Sequence, residues 1–424
     1  MKKSILLSIA ASSVMFAGGD LVPIEPAAPA TADFWGQIGF FYQAEDRNAP
    51  LAPDHNWGDE FNNWFNATVV LGAEKQFSNG FGFGAEVAGW TDFGADLGDR
   101  TLFKTDTTIA GLIDPTSAEV SQAYMTYVTG NTAIKAGRQA LPKAVSPWAW
   151  SDRTGGVVDI SYDGVVIANT DITDTTLVAG WVDQTSFSSD TASNVDVSDK
   201  YGLYMISVIN KSLANTTIAL SGYYIPKSEL RRNGFRNTLF DTWSIWASAE
   251  GNTGLVNWGV QAVYIDGDAV WRNSRDDVGA TAGVAAKVGS SWGDADAELV
   301  AAYINDGGYS MKTAGSGRGT SAFWSNNGDY GGDVKPGEAQ WSLMAKAGYN
   351  LAVGKVYGNV GYWDFDARNY GAYTLDNAID AIAGYKFDFS GINANIEYRY
   401  LNESFTDRDD RERQRVRVEA YYKF

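Results

Sequence analysis

The chain has no cysteine, which excludes disulfides, thiol nucleophiles and zinc–thiolate centres. It has one histidine, His55, flanked by Pro53 and Asp54, and no serine-centred nucleophile motif accompanies it. Acid–base and nucleophilic catalysis need a positioned base, most often histidine, so no enzyme is expected. Beyond the first residues there is no continuous apolar run of about 20 residues, which excludes a spanning helix. Positive charge is also in short supply: 33 Lys and Arg stand against 51 Asp and Glu, a formal net charge of −18. Nucleic-acid binders carry basic patches, so nucleic acid is excluded as a partner.

What the chain has instead is alternation. In 63–77, Phe65, Ala67, Val69, Leu71 and Ala73 alternate with Asn66, Thr68, Gly72 and Glu74. After Ser78-Asn79-Gly80, whose Asn and Gly tolerate positive φ, Phe81, Phe83, Ala85 and Val87 run back with Gly82, Gly84 and Glu86 opposite. Successive strand residues face opposite sides, so each segment has an apolar face and a small or polar one. The unit recurs at 34–45, 63–77, 81–93, 119–129, 132–141, 157–169, 176–184, 200–212, 215–226, 240–250, 255–267, 277–289, 294–305, 340–350, 355–365, 374–388, 392–403 and 413–424. Many segments are near the ten residues a tilted strand needs to cross a bilayer. Short connections (78–80, 130–131, 214–215, 251–254, 390–391) alternate with long ones (46–62, 94–118, 185–199, 227–239, 306–339, 404–412).

This asymmetry, on about 18 strands, predicts an all-β fold: a transmembrane antiparallel up-and-down β-barrel with short periplasmic turns and long extracellular loops. A water-soluble β-sandwich does not explain the alternation in loop length. Abundant aromatics (15 Trp, 22 Tyr, 20 Phe) support the barrel. Phe34, Trp64, Phe77, Trp90, Trp181, Tyr201, Trp292, Trp341 and Phe387 sit near predicted strand ends, where interfacial girdles lie. Lys2-Lys3, the apolar Ile5–Phe16 and Ala17-Gly18-Gly19 read as a signal peptide cut after residue 19. A Pro/Ala-rich periplasmic leader (20–33) and the barrel (34–424) follow, which predicts export to the periplasm and a multi-pass place in the outer membrane. Loss of Lys2 and Lys3 makes the mature chain more acidic still. Val416, Val418, Ala420, Tyr422 and Phe424 share the apolar face of the final strand, which is expected to pair with the first strand near Phe34.

The stretch after Leu141 breaks the pattern: Pro142, Lys143, Pro147, Trp148, Trp150, Asp152 and Arg153 form the third long-side connection. Ala136-Gly137-Arg138-Gln139-Ala140-Leu141-Pro142, Tyr162–Asn169 and Asp174–Gly180 resemble the corresponding region of OprD-type porins and of the major outer membrane protein of campylobacters. The likeness is at motif level over 134–182 and one of layout over the rest of the chain. It implies a trimeric, 18-stranded porin passing ions and small polar solutes. It also implies that the third loop (141–156) folds into the lumen, placing Lys143, Trp148, Trp150, Asp152 and Arg153 at a constriction. For bacterial outer-membrane barrels broadly, the terminal aromatics Tyr422 and Phe424 imply a signature for the barrel-assembly machinery.

On the last strands the parity of Ile392, Ala394, Ile396, Tyr398 and Tyr400 sets a lipid face, which turns Glu397 and Arg399 inward beside Arg413, Arg415 and Arg417. By analogy with the basic ladder of OprD-type channels, these arginines form a basic track; the alternative is charge pairing with nearby acids. Glu74, Glu86, Asp376, Asp380 and Glu397 are the expected acidic wall. Arg138 shares the outward parity of Ile134 and Ala136, which calls for a bulge, a subunit interface or a place near the rim. The acidic 405–412 stretch has oxygen ligands suited to Ca²⁺, but no spacing matches a calcium loop, so no metal or other cofactor is assigned. The expected partners are outer-membrane lipid, two further copies of the chain, and ions and small polar solutes. Two other functions fit the same barrel: a channel selective for small carboxylates, and an adhesin-like surface-interaction barrel.

Overall fold

Alternation of this kind lets each strand satisfy its backbone only by pairing with neighbours, and closing the sheet leaves no edge unpaired. The computed structural model describes residues 32–48, 63–91, 116–151, 153–154, 158–185, 195–196, 201–226, 228–232, 235–239, 241–267, 279–309, 311, 321–326, 339–370 and 373–424. The barrel strands are β1 (Asp33–Asn48), β2 (Asn63–Gln76), β3 (Phe81–Thr91), β4 (Thr116–Thr129), β5 (Thr132–Gln139) and β6 (Tyr162–Asn169). Next come β7 (Thr175–Thr185), β8 (Leu203–Asn210), β9 (Thr216–Ile225), β10 (Thr242–Asn252), β11 (Asn257–Asp266) and β12 (Thr281–Trp292). The last are β13 (Ala295–Ile304), β14 (Gln340–Asn350), β15 (Lys355–Tyr370), β16 (Tyr373–Phe389), β17 (Ile392–Phe405) and β18 (Arg411–Lys423). Each pairs antiparallel with the next, and β18 pairs with β1 (Ile38 opposite Tyr422), so these strands close into an up-and-down barrel. The sheet is nominally 19-stranded because the two-residue Val195–Asp196 adds to the end of β7. Among the described residues no helix is long and apolar enough to cross a membrane, which says nothing of crossing by strands.

The turn-side connections are tight and each contains a residue at positive φ: Gly80, Gly130, Asp174, Asn215, Gly254, Gly293, Gly354 and Gly391. Positive φ matches the right-handed twist of the flanking strands, and Gly, Asn and Asp reach it at least cost. On the loop side, the connection between Tyr370 and Tyr373 is as short as a turn. There β15 and β16 run on as a paired ribbon (Arg368 opposite Leu375), which shortens the intervening segment.

The outer face is apolar and unpacked: Phe34, Ile38, Phe40, Val69, Leu71, Phe83, Val87, Ile206, Leu220 and Val284 are exposed. Exposed large apolar side chains on every barrel strand but β5 describe a surface made for lipid rather than water. Its two ends differ. Near the loops, Tyr and Trp tips meet polar partners, as in Tyr224–Asp241 (3.1 Å), Tyr264–Asp266 (3.2 Å), Trp341–Asp364 (2.5 Å) and Tyr400–Glu412 (3.0 Å). Near the turns the edge is richer in Phe: Phe77, Phe81, Phe83, Phe389 and Phe424 stand beside Trp292, Tyr349 and Tyr422. Trp90, expected in a girdle, faces inward and packs on Phe41 and Ala88. It shares the parity of Glu86 and Ala88, and strand parity overrides its nearness to a strand end. Trp64's side chain lies outside the described residues.

Candidate functional site in the barrel interior

The described part of the third connection, 141–151, packs against β8 and β9. Leaving β5, Leu141, Val145, Ser146, Trp148 and Ala149 become buried against the inner wall. Ser207 on β8 donates to the Val145 carbonyl (2.6 Å) and accepts from the Ser221 hydroxyl on β9 (2.8 Å). Trp148 N–H donates to Tyr223 Oη (3.3 Å), and the two rings meet edge to face at 5.6 Å. Tyr162 Oη donates to the Trp150 carbonyl (3.1 Å), fixing the returning limb. Lys143 stays exposed, its ammonium 5.0 Å from the centre of the half-buried Trp150 ring. Asp152 lies outside the described residues; Arg153 lies in a two-residue strand paired with Val158–Asp159, and its side chain is not described.

The inward face of β16–β18 carries the expected arginines, each beside an acid. Arg399 Nε donates to Asp380 Oδ1 at 2.6 Å, both side chains nearly fully buried (6% and 1% exposed). Arg411, outside the expected set, makes a bidentate pair with Glu403, one limb at 2.6 Å. Arg415 lies 3.8 Å from Glu397, and Arg417 lies 3.9 Å from Glu419. Arg417 also donates to Gln43 Oε1 (3.0 Å) across the closing seam and sits over the Phe41 ring. Arg413 joins Glu45, Arg399, Leu401 and Arg415 around one niche. The track is therefore a mosaic of both signs. Tyr357 Oη adds a hydrogen bond to Glu397 (3.2 Å).

On the adjoining wall, past the closing seam with β1, Glu74 and Glu86 face inward as alternation requires. Glu74 accepts from Tyr124 Oη (2.8 Å); Glu86 accepts from Ser121 Oγ (2.7 Å) and Trp35 Nε1 (3.1 Å). Lys135 reaches the same wall, 3.7 Å from the Tyr124 ring centre. Asp376 departs from its expected inward place. A register shift between Leu375 and Asn377 buries Leu375 inside and leaves Asp376 exposed, hydrogen-bonded by Asn377 Nδ2 at 2.9 Å. A bulge inserts one residue and reverses parity beyond it, which period-two counting cannot see. Arg138 keeps its outward parity and is held by Asp163 through two bonds (2.8 and 2.9 Å) near the loop-side end of β5. Such a bidentate partner removes the bare charge that lipid would penalise.

Sequence reasoning missed two features. Three further pairs, Lys287–Glu250 (2.6 Å), Lys346–Glu298 (2.9 Å) and Lys355–Asp296 (2.5 Å), spread mixed charge round the wall. Their signal was present, since each residue has inward parity. The second is another inward segment, from the connection between β13 and β14. Met311, Ala322 and Phe323 are buried in the same apolar cluster as Trp148 and Val145. Three large apolar side chains, Met311, Phe323 and Trp324, in a glycine- and serine-rich connection were the clue to it. Among the described residues no group of three or more acids or histidines is placed to hold a metal.

No sequence-family model matches the chain, and no curated protein is similar to it in sequence. Solved structures are similar in fold. Pseudomonas aeruginosa OccK1 (OpdK) aligns with a TM-score of 0.65 at 12% identity, over 92% of this chain and 99% of that one. Pseudomonas aeruginosa OpdO gives 0.65 at 15% identity over 92% and 97%. A BenF-like porin from Pseudomonas fluorescens Pf-5 gives 0.67 at 14% identity over 93% and 100%.

Proposed function

We propose that this protein is an outer-membrane porin through which ions and small polar solutes diffuse passively. The observation that carries the reading is a closed barrel with a lipid-type outer face and an interior that is polar, charged and narrowed by inward chain. A β-barrel seals its own backbone in lipid, and an interior of fixed charges suits water and ions rather than a packed core. The Pseudomonas structures of the same fold include a BenF-like porin, which supports the reading. Export by the N-terminal signal, assembly through Tyr422 and Phe424, and a trimer belong to the same proposal, as does the absence of enzymatic activity. The test is single-channel conductance of refolded protein in planar bilayers. Discrete open levels with three-step closure are expected; a sealed barrel would end the porin reading.

Selectivity for small carboxylates is the second reading. Arg399, Arg413, Arg415 and Arg417 line one wall, and OpdK has been crystallised with vanillate, which carries a carboxylate. Saturable block of the current by a carboxylate solute favours selectivity; ohmic current scaling with salt favours the general pore.

A further inference from the structure

The second inward segment sits in a socket that the wall is built to provide. On the inner face of β11, Gln261 is buried and engages the segment with both ends of its amide. Its Nε2 donates to the Ala322 carbonyl (3.3 Å), and its Oε1 accepts from the Trp324 N–H (3.1 Å). A primary amide can thus stand in for a neighbouring strand, satisfying a donor and an acceptor of the incoming backbone. Two residues before it on the same face is Gly259. A Cβ there would come within 2.7 Å of the Trp324 ring. On β12, a Cβ at Gly283 would come within 2.5 Å of Met311 and 3.1 Å of Phe323. Both glycines have ordinary φ, so what they provide is clearance for three large side chains. Lys287, anchored by Glu250, lies 4.2 Å from the Trp324 ring centre. The segment is also tied within itself, Ser321 Oγ donating to the Met311 carbonyl at 2.7 Å, so it docks as a unit.

We infer that Gln261 is the positioning residue for a second restriction of the pore, holding Met311 and residues 321–326 of this connection in a glycine-cleared socket on β11–β12. This seat, on β11–β12, is separated only by β10 from that of the third connection, which rests on Ser207 and Tyr223 of β8 and β9, and the two segments meet in one apolar cluster. The inference rests on the channel reading.

The chain's lack of cysteine allows a direct test. Ala322→Cys places a single thiol at a buried position of the segment, and labelling by a water-soluble maleimide reports whether the segment stays seated. Gln261→Met keeps the shape and removes both hydrogen bonds. Labelling of the Ala322→Cys thiol is expected to quicken about tenfold or more, the scale set by losing two neutral hydrogen bonds. Unitary conductance is expected to rise in the same background. Gly259→Leu, which fills the Trp324 seat, should reproduce both effects, and unchanged heat-modifiable gel mobility would show the barrel closed. A conducting wild type whose Gln261→Met and Gly259→Leu variants have equal conductance overturns this inference alone, even if labelling quickens. A wild type without conductance overturns the channel reading itself.

Discussion

At the scale of single residues, most of the described interior arginines sit in charge pairs. Arg399–Asp380 is the most enclosed of them, so its partners matter more to folding than to ion flow. Removing one member of a buried pair leaves an uncompensated charge, at a cost of about 3–5 kcal/mol. Asp380→Asn is therefore expected to lower stability by about that much in urea unfolding of the micelle-refolded barrel. Arg399→Met with Asp380→Leu together should come close to wild type. The more open pairs act on ions. Replacing Arg415 and Arg417 with Ala unmasks Glu397 and Glu419, and reversal potentials under a salt gradient should move toward cation preference. Glu397→Gln should move them the other way. Identical reversal potentials in all three channels would reduce these residues to structural pairing.

At the scale of elements, the third connection shows how an inward loop is held without covalent links. Its anchors are few: Ser207 on the Val145 carbonyl, Tyr223 on the Trp148 amide, and Trp148 packed edge to face. Truncating a buried tryptophan costs about 3–5 kcal/mol, more than a docked loop can be expected to spare. Trp148→Ala is thus expected to release the loop, raise unitary conductance and leave the barrel's own melting nearly unchanged. Tyr223→Phe, which removes one hydroxyl, should have a smaller effect in the same direction. Conductance unmoved by Trp148→Ala would mean that the loop does not limit the pore.

At the scale of the whole molecule, everything depends on closure between β1 and β18. Gly36 and Phe424 exchange backbone hydrogen bonds (2.9 and 3.0 Å), and the Phe424 ring lies where a Gly36 Cβ would fall, 2.3 Å from the ring edge. Gly36→Val should therefore displace the ring and strain the seam. The expected outcome is slower appearance of the heat-modifiable, folded band during refolding into detergent, with Phe424→Ala giving a related delay. Refolding at wild-type rates in both would remove this seam from the steps that limit assembly.

What the sequence by itself determined is the set of properties that follow from period two. It placed the strands, put Val69, Ile396 and Val418 on the lipid face, turned Glu74, Glu86, Arg399 and Arg417 inward, and marked the tight turns through Gly, Asn and Asp. These follow from local stereochemistry and from the opposite demands of lipid and water on the two faces. Tertiary structure decided what lies beyond one strand's horizon. The bulge at Asp376 reversed a side that counting had assigned, because an extra residue is defined only against a partner strand. Pairing of Arg415 with Glu397 and of Arg417 with Gln43 favours the charge-pairing alternative over a free basic track, because these cross-strand distances depend on register. The seat of Met311, Phe323 and Trp324 could not be read from their own segment, because Gly259, Gln261 and Gly283 supply it from β11 and β12, and only the pairing of β11–β13 and the fold-back of the connection bring them together.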